Sequence, residues 1–339
     1  MSGINADVRT KHMHTFTHFT HLARRMVWVT LATLVAIMFP GHAMSNPLPK
    51  EVRIGYQKGA AILVLTKKQQ VIEARLKALG IHSVKWVEFQ FGPPMLEALG
   101  AGAIDLGSVG DTPPIFAQAG GAYLVYAAAT PSAQHAVLVP QHSAIQSLAD
   151  LKGKKVAFGK GSSAQNVAVK ALAQAGLTLN DVVPTYLSPA DATAAFNGGN
   201  IDAWVVWDPY VAIAEARYQA RAIADTRDKS LASSSFYIAS RAFAQQHPEV
   251  LVAVLDEVRK VTLWAGQNRG ALAALAAEAT GIDVQSWSTA FARADFALGP
   301  VTDAHVALQQ QLADTFHNLG IIPRKLKVQE IVWRHPALK

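Results

Sequence analysis

The 339-residue sequence contains no cysteine. This absence excludes disulfide bonds, thiolate metal sites, cysteine nucleophiles and a lipid-modified N-terminal cysteine. The common catalytic and nucleotide-binding motifs are also missing, since there is no G-x-S-x-G, H-E-x-x-H, P-loop or G-x-G-x-x-G. We therefore expect a binding protein and not an enzyme, with no catalytic residue, no metal and no cofactor.

Histidine and basic charge are not clustered in a way that indicates catalysis or nucleic-acid binding. Five of the twelve histidines fall within 12–42, and the others are dispersed outside the glycine-rich turns, which predicts surface or helix-end positions. These others are His82, His135, His142, His247, His305, His317 and His335. The formal net charge of +7 is mild, so we expect no nucleic-acid partner, although a small anionic ligand would suit it.

The N-terminal segment has the order of basic, apolar and small residues that is typical of a secretory signal. Arg24 and Arg25 precede a 14-residue run without charge at 26–39, and Gly41 and Ala43 follow it. The run is shorter than the ~20 residues of a membrane span. We predict a signal peptide over 1–43, with an uncleaved membrane anchor as the alternative. Cleavage after Ala43 would lower the formal net charge to +4 and release a soluble, exported chain.

Strand and helix patterns alternate over 51–210, which predicts an α/β fold. The segment 60–79 reads as one amphipathic helix that ends at a glycine. The apolar run at 103–106 reads as a short strand before a glycine-rich turn. Thr112 is then expected to cap a helix whose first residue is Pro113.

An internal resemblance indicates two lobes of similar design. Residues 98–105 align with 195–202, about 100 residues further on, and an aspartate follows six residues after each segment, at Asp111 and Asp208. Two α/β lobes would each present strand ends and helix N-termini to one cleft. The predicted parts are lobe I over 44–134, lobe II over 135–235 and a mostly helical return to lobe I over 236–339, with crossings near 130–140 and 232–240.

The stretch 156–163, Val-Ala-Phe-Gly-Lys-Gly-Ser-Ser, is a candidate anion site. It leads from an apolar strand through two glycines into a helical segment at 164–175. A helix start has free backbone N–H groups and about +0.5 of dipole charge, and Ser162 and Ser163 add hydroxyl groups. An ordinary capped turn is the alternative interpretation. The similar Lys-Gly pair at 58–59 indicates that a second strand-to-helix turn forms the opposite side of the same cleft.

Asp208 needs a partner if an anion binds nearby. A bare carboxylate about 4 Å from a bound anion would cost roughly 4 kcal/mol. Asp208 precedes a proline, so it could cap a helix with its oxygens held by N–H groups, or it could pair with an amine of the ligand. Trp207 lies at a strand end and Trp204 points to the opposite face, so we expect Trp207 in the cleft and Trp204 in the core.

The sequence resembles the aliphatic-sulfonate-binding proteins of ABC importers along nearly all of the chain after the predicted signal. The stretches that carry the resemblance are Gly55–Gly59, Gly92–Pro93, Met95–Leu99, Gly107–Ser108, Gly110–Asp111, Pro113–Gln118, Gly161–Ser163, Pro184–Tyr186, Asn200–Trp204, Trp207–Tyr210, Ser235–Tyr237 and Ala307–Gln311.

The resemblance implies a type II periplasmic-binding fold, in which two α/β lobes joined by two crossing segments close on a ligand in the cleft between them. It also implies a set of ligand-binding residues. That set is Gln57, Phe91, Gly92, Asp111, Thr112, Gly161, Ser162, Ser163, Trp207, Asp208 and Tyr237. Phe91 and Thr112 depart from the family's usual residues, which leaves the size and polarity of the ligand open.

The function implied by the resemblance is that of a monomeric periplasmic receptor, which binds a small alkanesulfonate and delivers it to the membrane permease of an ABC importer. A taurine or nitrate receptor of the same family is one alternative. An enzyme acting on an organosulfur anion is the other, and the lack of cysteine argues against the desulfinase chemistry of distant relatives.

Overall fold

The computed structural model describes residues 47–338, so the predicted signal peptide lies outside the described residues. This range contains ten strands and twelve helices, which largely alternate over 51–240, as the α/β pattern predicts, before five consecutive helices. The strands are β1 (Glu51–Gln57), β2 (Ser83–Phe89), β3 (Leu106–Gly110), β4 (Leu124–Pro131), β5 (His135–Val139), β6 (Lys155–Phe158), β7 (Val183–Tyr186), β8 (Ala203–Trp207), β9 (Arg221–Asp225) and β10 (Ser234–Ser240). The helices are α1 (Ala61–Lys68), α2 (Val71–Ala78), α3 (Gly92–Gly100), α4 (Thr112–Ala119), α5 (Ser163–Gln174), α6 (Pro189–Asn197), α7 (Tyr210–Tyr218), α8 (Arg241–Gln246), α9 (Pro248–Gln267), α10 (Arg269–Thr280), α11 (Val284–Ala292) and α12 (Asp303–Asn318).

The strands form two five-stranded sheets of the same mixed pattern. Sheet 1 has the order β2-β1-β3-β10-β4 and sheet 2 the order β7-β6-β8-β5-β9. In each sheet three strands run parallel and one of them pairs with an antiparallel strand, β10 in sheet 1 and β5 in sheet 2. The chain passes between the sheets twice, after β4 and after β9. The two α/β lobes and the two crossing segments are confirmed, whereas the exact lobe boundaries stay a prediction.

Helices cover the sheets and bury their apolar faces. In lobe 1, Val52 and Ile54 of β1 are fully buried, and α9 packs with α1 and α2 above that sheet. In lobe 2, Val137 of β5 and Phe158 of β6 are equally buried, against the apolar face of α5. Each such side chain contributes about 1.5–3 kcal/mol when it leaves water. The strand ends that point out of these cores are therefore held rigidly.

The prediction of one helix over 60–79 is wrong. Helix α1 ends at Lys68, Gln70 adopts a left-handed conformation with φ of 53°, and α2 begins at Val71. The two helices pack in different places, because Leu65 joins the cluster of α10 and α11 while Ile72 joins the core of sheet 1. A straight helix could not reach both, so tertiary packing overrides a continuous helical pattern.

Two boundaries near the cleft also differ from the prediction. Strand β3 runs through the glycine-rich segment that was predicted to be a turn, and it pairs there with β1 and β10. Glycine is required at position 107 because an added Cβ would lie 2.4 Å from Sδ of Met95. Asp111, and not Thr112, is the N-cap of α4, and Thr112 is its first helical residue. No helix within the described range has both the length and the apolarity that crossing a membrane requires.

Candidate functional site

A pocket with a cavity volume of about 190 Å³ lies where the two lobes meet. Lobe 1 contributes the end of β1, the first turn of α1, the end of β3 and part of β10. Lobe 2 contributes the start of β5, the start of α5 and the end of β8, and a loop after α11 closes one side. The lining includes Gln57, Ala60, Ala61, Ile62, Leu63, Gly92, Ser108, Gly110, His135, Ser162, Ser163, Trp207, Asp208, Tyr237, Phe291, Asp295 and Phe296.

The first turn of α1 presents unpaired donors to this pocket. Its N-cap is Ala60, which has no side chain that could accept a hydrogen bond from the helix, and no acidic residue lies in the first turn. Among the described residues, the backbone N–H groups of Ala61, Ile62 and Leu63 have no acceptor. Free N–H groups and the positive end of the helix dipole together favour an anion at this position.

The start of α5 is the corresponding feature of lobe 2. Its N-cap Ser162 makes no side-chain cap bond, and the described part of the chain offers no acceptor for the N–H of Ser163. The preceding Gly161 has φ of +72°, a left-handed conformation that a glycine adopts without strain. Ser162 differs from expectation, because its hydroxyl already donates to the carbonyl of Gly159 at 2.7 Å. The anion site predicted here therefore depends on backbone donors more than on hydroxyls.

The electrostatic character of the pocket comes from these helix termini. No lysine or arginine is among the residues that line the pocket in the described range. The side-chain amide of Gln57, at the end of β1, also lines the pocket, and its Nε2 donates to the carbonyl of Ser108 at 2.9 Å. The pocket is thus lined by neutral donors at two helix starts, together with two carboxylates, Asp208 and Asp295. The neutral donors suit one delocalised negative charge.

Asp208 is engaged on both oxygens by residues of the protein. Arg293, which follows α11, donates from Nε to Oδ2 at 2.7 Å and from Nη2 to Oδ1 at 2.8 Å. The N–H of Ala212 in α7 also donates to Oδ1, at 3.1 Å, so Asp208 does serve the start of that helix, although Pro209 occupies the N-cap position. The Arg293 guanidinium neutralises the carboxylate that would otherwise repel an anion in the pocket.

His135 contradicts the expectation that the histidines lie on the surface. It opens β5, is 2% exposed, and lines the pocket. Its Nε2 lies 2.8 Å from Oγ of Ser163 and its Nδ1 lies 2.9 Å from the carbonyl oxygen of Ala133. Burial lowers the pKa of His135 to about 4. His135 is therefore a neutral imidazole that holds one of the pocket's serines.

Aromatic side chains form the apolar part of the lining. Trp207 is partly exposed at the end of β8, whereas Trp204 is buried at 1%, as the strand alternation predicts. Tyr237 from β10 and the rings of Phe291 and Phe296, whose centroids are 5.9 Å apart, add to the same lining. Burial raises the pKa of the Tyr237 hydroxyl, so the phenol stays neutral. An aromatic lining favours an apolar or aliphatic tail.

Four predicted site residues do not line this pocket. Phe91 and Gly161 line a second cavity of about 590 Å³, together with Phe116, and the Phe91 ring packs within 3.1 Å of where a Cβ on Gly159 would stand. Phe91 therefore packs one lobe against the other beside the pocket. The expectation that Phe91 faces the ligand tail is not supported by this position.

The other two, Asp111 and Thr112, are buried behind the pocket. Asp111 accepts hydrogen bonds from Asn166 of α5 at 2.7 Å, from the Ser233 hydroxyl at 2.8 Å and from the Thr112 hydroxyl at 2.9 Å. Burial raises the pKa of this carboxyl, and these three hydrogen bonds oppose the shift. The Thr112 hydroxyl is thus already used within the protein. Asp111 ties lobe 1, lobe 2 and the second crossing segment together.

Sequence reasoning missed three parts of the site. The Lys-Gly pair at 58–59 pointed to the start of α1, but its backbone donors were not named, because alanine at position 60 is not a capping residue. His135 gave no signal, since a lone histidine before an apolar run has no motif. Arg293 lies 85 residues after its partner Asp208, and no local pattern joins them.

Comparison with known proteins agrees with this architecture. A family model described as NMT1/THI5 like matches residues 58–269. The chain belongs to this family. It is 42% identical to the periplasmic aliphatic sulphonate binding protein SsuA from Escherichia coli, with a TM-score of 0.76 over 86% of this chain and 94% of that one. It is 36% identical to the alkanesulfonate-binding protein SsuA from Xanthomonas axonopodis pv. citri, solved bound to MOPS, with a TM-score of 0.81 over 85% of this chain and 100% of that one.

These matches confirm two of the expectations that came from the motifs. This NMT1/THI5-like chain has the type II periplasmic-binding fold, and the two solved relatives are binding proteins and not enzymes. The two alignments cover nearly the whole length of each relative, so the shared architecture includes both lobes and the C-terminal helices.

Proposed function

We propose that this protein is an extracytoplasmic receptor that binds small aliphatic sulfonates in the pocket between its lobes. The observation that carries the proposal is the pair of uncapped helix N-termini, α1 and α5, which face one pocket from opposite lobes. The SsuA relatives from Escherichia coli and Xanthomonas axonopodis pv. citri support the choice of ligand class.

The chemistry of a sulfonate matches this lining. A sulfonate spreads one negative charge over three oxygens, and it stays ionised throughout the physiological pH range. Several neutral N–H donors can satisfy the three oxygens without an arginine. The aromatic lining from Trp207, Phe291 and Phe296 would then contact the alkyl tail. Because Asp208 is already paired with Arg293, it is not free to receive an amine. A taurine amine would have to meet Asp295, the other carboxylate of the lining.

The relatives also support a proposal for the cellular role. We place the protein in the periplasm as a monomeric receptor, which closes its lobes on the sulfonate and presents it to the membrane permease of an ABC importer. The predicted signal peptide and the periplasmic SsuA relative support this location.

Isothermal titration calorimetry with methanesulfonate, ethanesulfonate, butanesulfonate, taurine and nitrate tests the proposal. We expect the simple alkanesulfonates to bind, with tighter binding as the tail lengthens, because each added methylene buries apolar surface worth about 0.8 kcal/mol. No heat of binding with any alkanesulfonate would refute the proposal. Tighter binding of nitrate than of ethanesulfonate would favour the nitrate alternative, and release of sulfite on incubation would favour the enzyme.

A matched pair of variants tests whether Trp207 contacts the ligand tail or affects binding only through a general loss of an aromatic side chain. Trp207→Ala is expected to weaken butanesulfonate binding more than methanesulfonate binding, since only the longer tail reaches the ring. Tyr123→Ala removes an aromatic side chain that is 80% exposed and does not line the pocket, and it should leave both affinities unchanged. Equal losses for both ligands in Trp207→Ala would show that Trp207 does not contact the tail.

A further inference from the structure

The hydrogen bonds of His135 define which ring nitrogen carries its proton. Nδ1 lies 2.9 Å from the carbonyl oxygen of Ala133. A carbonyl oxygen can only accept, so Nδ1 must be the nitrogen that donates. In the neutral imidazole, Nε2 is then an acceptor. Its only partner within the described residues is the hydroxyl of Ser163, at 2.8 Å.

This arrangement gives the Ser163 hydroxyl the wrong polarity for an anion. When Nε2 accepts, the Ser163 hydroxyl donates its hydrogen to the imidazole. The hydroxyl oxygen then offers only lone pairs to the pocket, and these would repel a sulfonate oxygen. When Nε2 carries a proton, the direction reverses: the imidazolium donates to Oγ, and the hydroxyl hydrogen is free to donate into the pocket.

We propose that a sulfonate and one proton bind together, with the proton taken up from solvent onto Nε2 of His135 so that Ser163 donates to the bound anion. This inference rests on the proposed function, because it concerns the same pocket. His135 acts here as a positioning residue, since it reaches the ligand only through Ser163. The one bond formed is Nε2–H, whose proton leaves solvent or buffer, and the charge of the bound anion is balanced by that of the imidazolium.

The surroundings of His135 keep its imidazole neutral in the free protein. Burial is the main cause of its low pKa, and the Lys170 ammonium on α5 lowers it further. The other charged groups on neighbouring elements are carboxylates. Asp295, in the loop after α11, lines the same pocket as His135, and the rest have partners of their own. They are Asp111 before α4, hydrogen-bonded to Asn166 and Ser233, Asp208 after β8, paired with Arg293, and Asp225 on β9, paired with Arg227.

A bound anion is the missing group that would favour the charged imidazole. The complex would then hold more protons than the free protein between the low pKa of free His135 and its raised pKa in the complex. Linkage requires that affinity rises as pH falls through this window and levels off below it. An ordinary anion pocket made of backbone donors would bind a sulfonate equally at every pH in this range.

The test is calorimetry of the purified protein with ethanesulfonate, which does not itself titrate. Two buffers free of sulfonate groups, with different heats of ionisation, report the number of protons taken up per ligand. We expect uptake of about half to one proton near pH 6, and binding at least about tenfold weaker at pH 8 than at pH 5. Zero proton uptake together with equal affinity at both pH values would overturn the inference.

Two variants make the assignment specific to His135. In His135→Gln, the side chain has no group that titrates in this range, so we expect a single affinity at every pH and no proton uptake. His142→Gln changes an exposed histidine and should keep the full pH dependence. A pH dependence that persists in His135→Gln would overturn the inference.

The experiment also separates this inference from the function that it builds on. Absence of ethanesulfonate binding at every pH would refute both, whereas binding without proton uptake would refute only the role of His135. If His135→Gln does not fold, the proton count of the wild-type protein still decides. The imidazole NMR signals of wild-type His135, recorded with and without ethanesulfonate, give a second readout of the same protonation.

Discussion

At the scale of single residues, the site depends on pairings that join distant parts of the chain. Strand alternation correctly placed Trp204 in the core and Trp207 at the pocket, because that pattern is local. It could not show that Asp208 meets Arg293, or that His135 reaches Ser163, since both pairs form only after the lobes have folded. Residue types alone indicate chemistry, but the partner decides which chemistry a residue can perform.

The pairing of Asp208 with Arg293 predicts a large cost when it is broken. Asp208 is 5% exposed, so Arg293→Ala leaves a buried carboxylate uncompensated, which should lower the free energy of unfolding by about 3 kcal/mol. It should also weaken ethanesulfonate binding, because the freed negative charge lines the pocket. Arg217→Ala breaks the exposed ion pair with Asp283 and should cost less than about 1 kcal/mol. Urea unfolding of both variants checks the contrast, and equal costs would contradict it.

At the scale of elements, helix starts were predicted well where glycine or proline marks them and poorly elsewhere. The Gly-Ser turn correctly predicted the start of α5. The break between α1 and α2 at Gln70 has no glycine or proline, and it results from packing against two different cores. The most informative feature of α1 is that its first turn has no capping side chain. A missing cap does not indicate a binding site in the sequence, because the pocket that it faces is formed only in the folded protein.

The uncapped start of α1 predicts that adding a cap will raise the stability of the protein and lower its affinity for the ligand. Ala60→Asp would supply a cap for the free N–H groups and should stabilise the protein by about 0.5–2 kcal/mol. The same carboxylate would occupy the donors that a sulfonate needs, so we expect ethanesulfonate affinity to fall at least about a hundredfold.

Ala60→Asn is the matched control, because it caps the helix without adding charge. It should give a similar gain in thermal stability and a smaller loss of affinity than Ala60→Asp. Calorimetry and thermal unfolding of both variants measure the two effects separately. Unchanged sulfonate affinity in Ala60→Asp would show that the start of α1 does not hold the anion.

At the scale of the whole molecule, the two-lobed design could be predicted from an internal resemblance about 100 residues apart. The resemblance arises because each lobe repeats the same strand-to-helix turns around its own sheet. What the repeat could not give is the distance between the lobes. In the structure they touch beside the pocket at Gly110 of β3 and Ser163 of α5, where an added Cβ would lie 2.7 Å from Cβ of Ser163.

This close contact predicts that a single methyl group at position 110 would hold the lobes apart. In Gly110→Ala the new Cβ meets the buried Ser163, which cannot move away, so the arrangement that encloses the pocket becomes strained. We expect ethanesulfonate affinity to fall at least about tenfold, and small-angle scattering to show a larger radius of gyration with saturating ligand. Gly270→Ala is the control, since a Cβ there meets no atom within 4 Å and replaces glycine in a helix, which favours stability. The methyl group should act only when the lobes meet. A loss of affinity without a larger radius of gyration would therefore mean that the methyl group disturbs the start of α5 itself. An unchanged affinity together with an unchanged radius of gyration would show that the Gly110–Ser163 contact is not part of the ligand-bound arrangement.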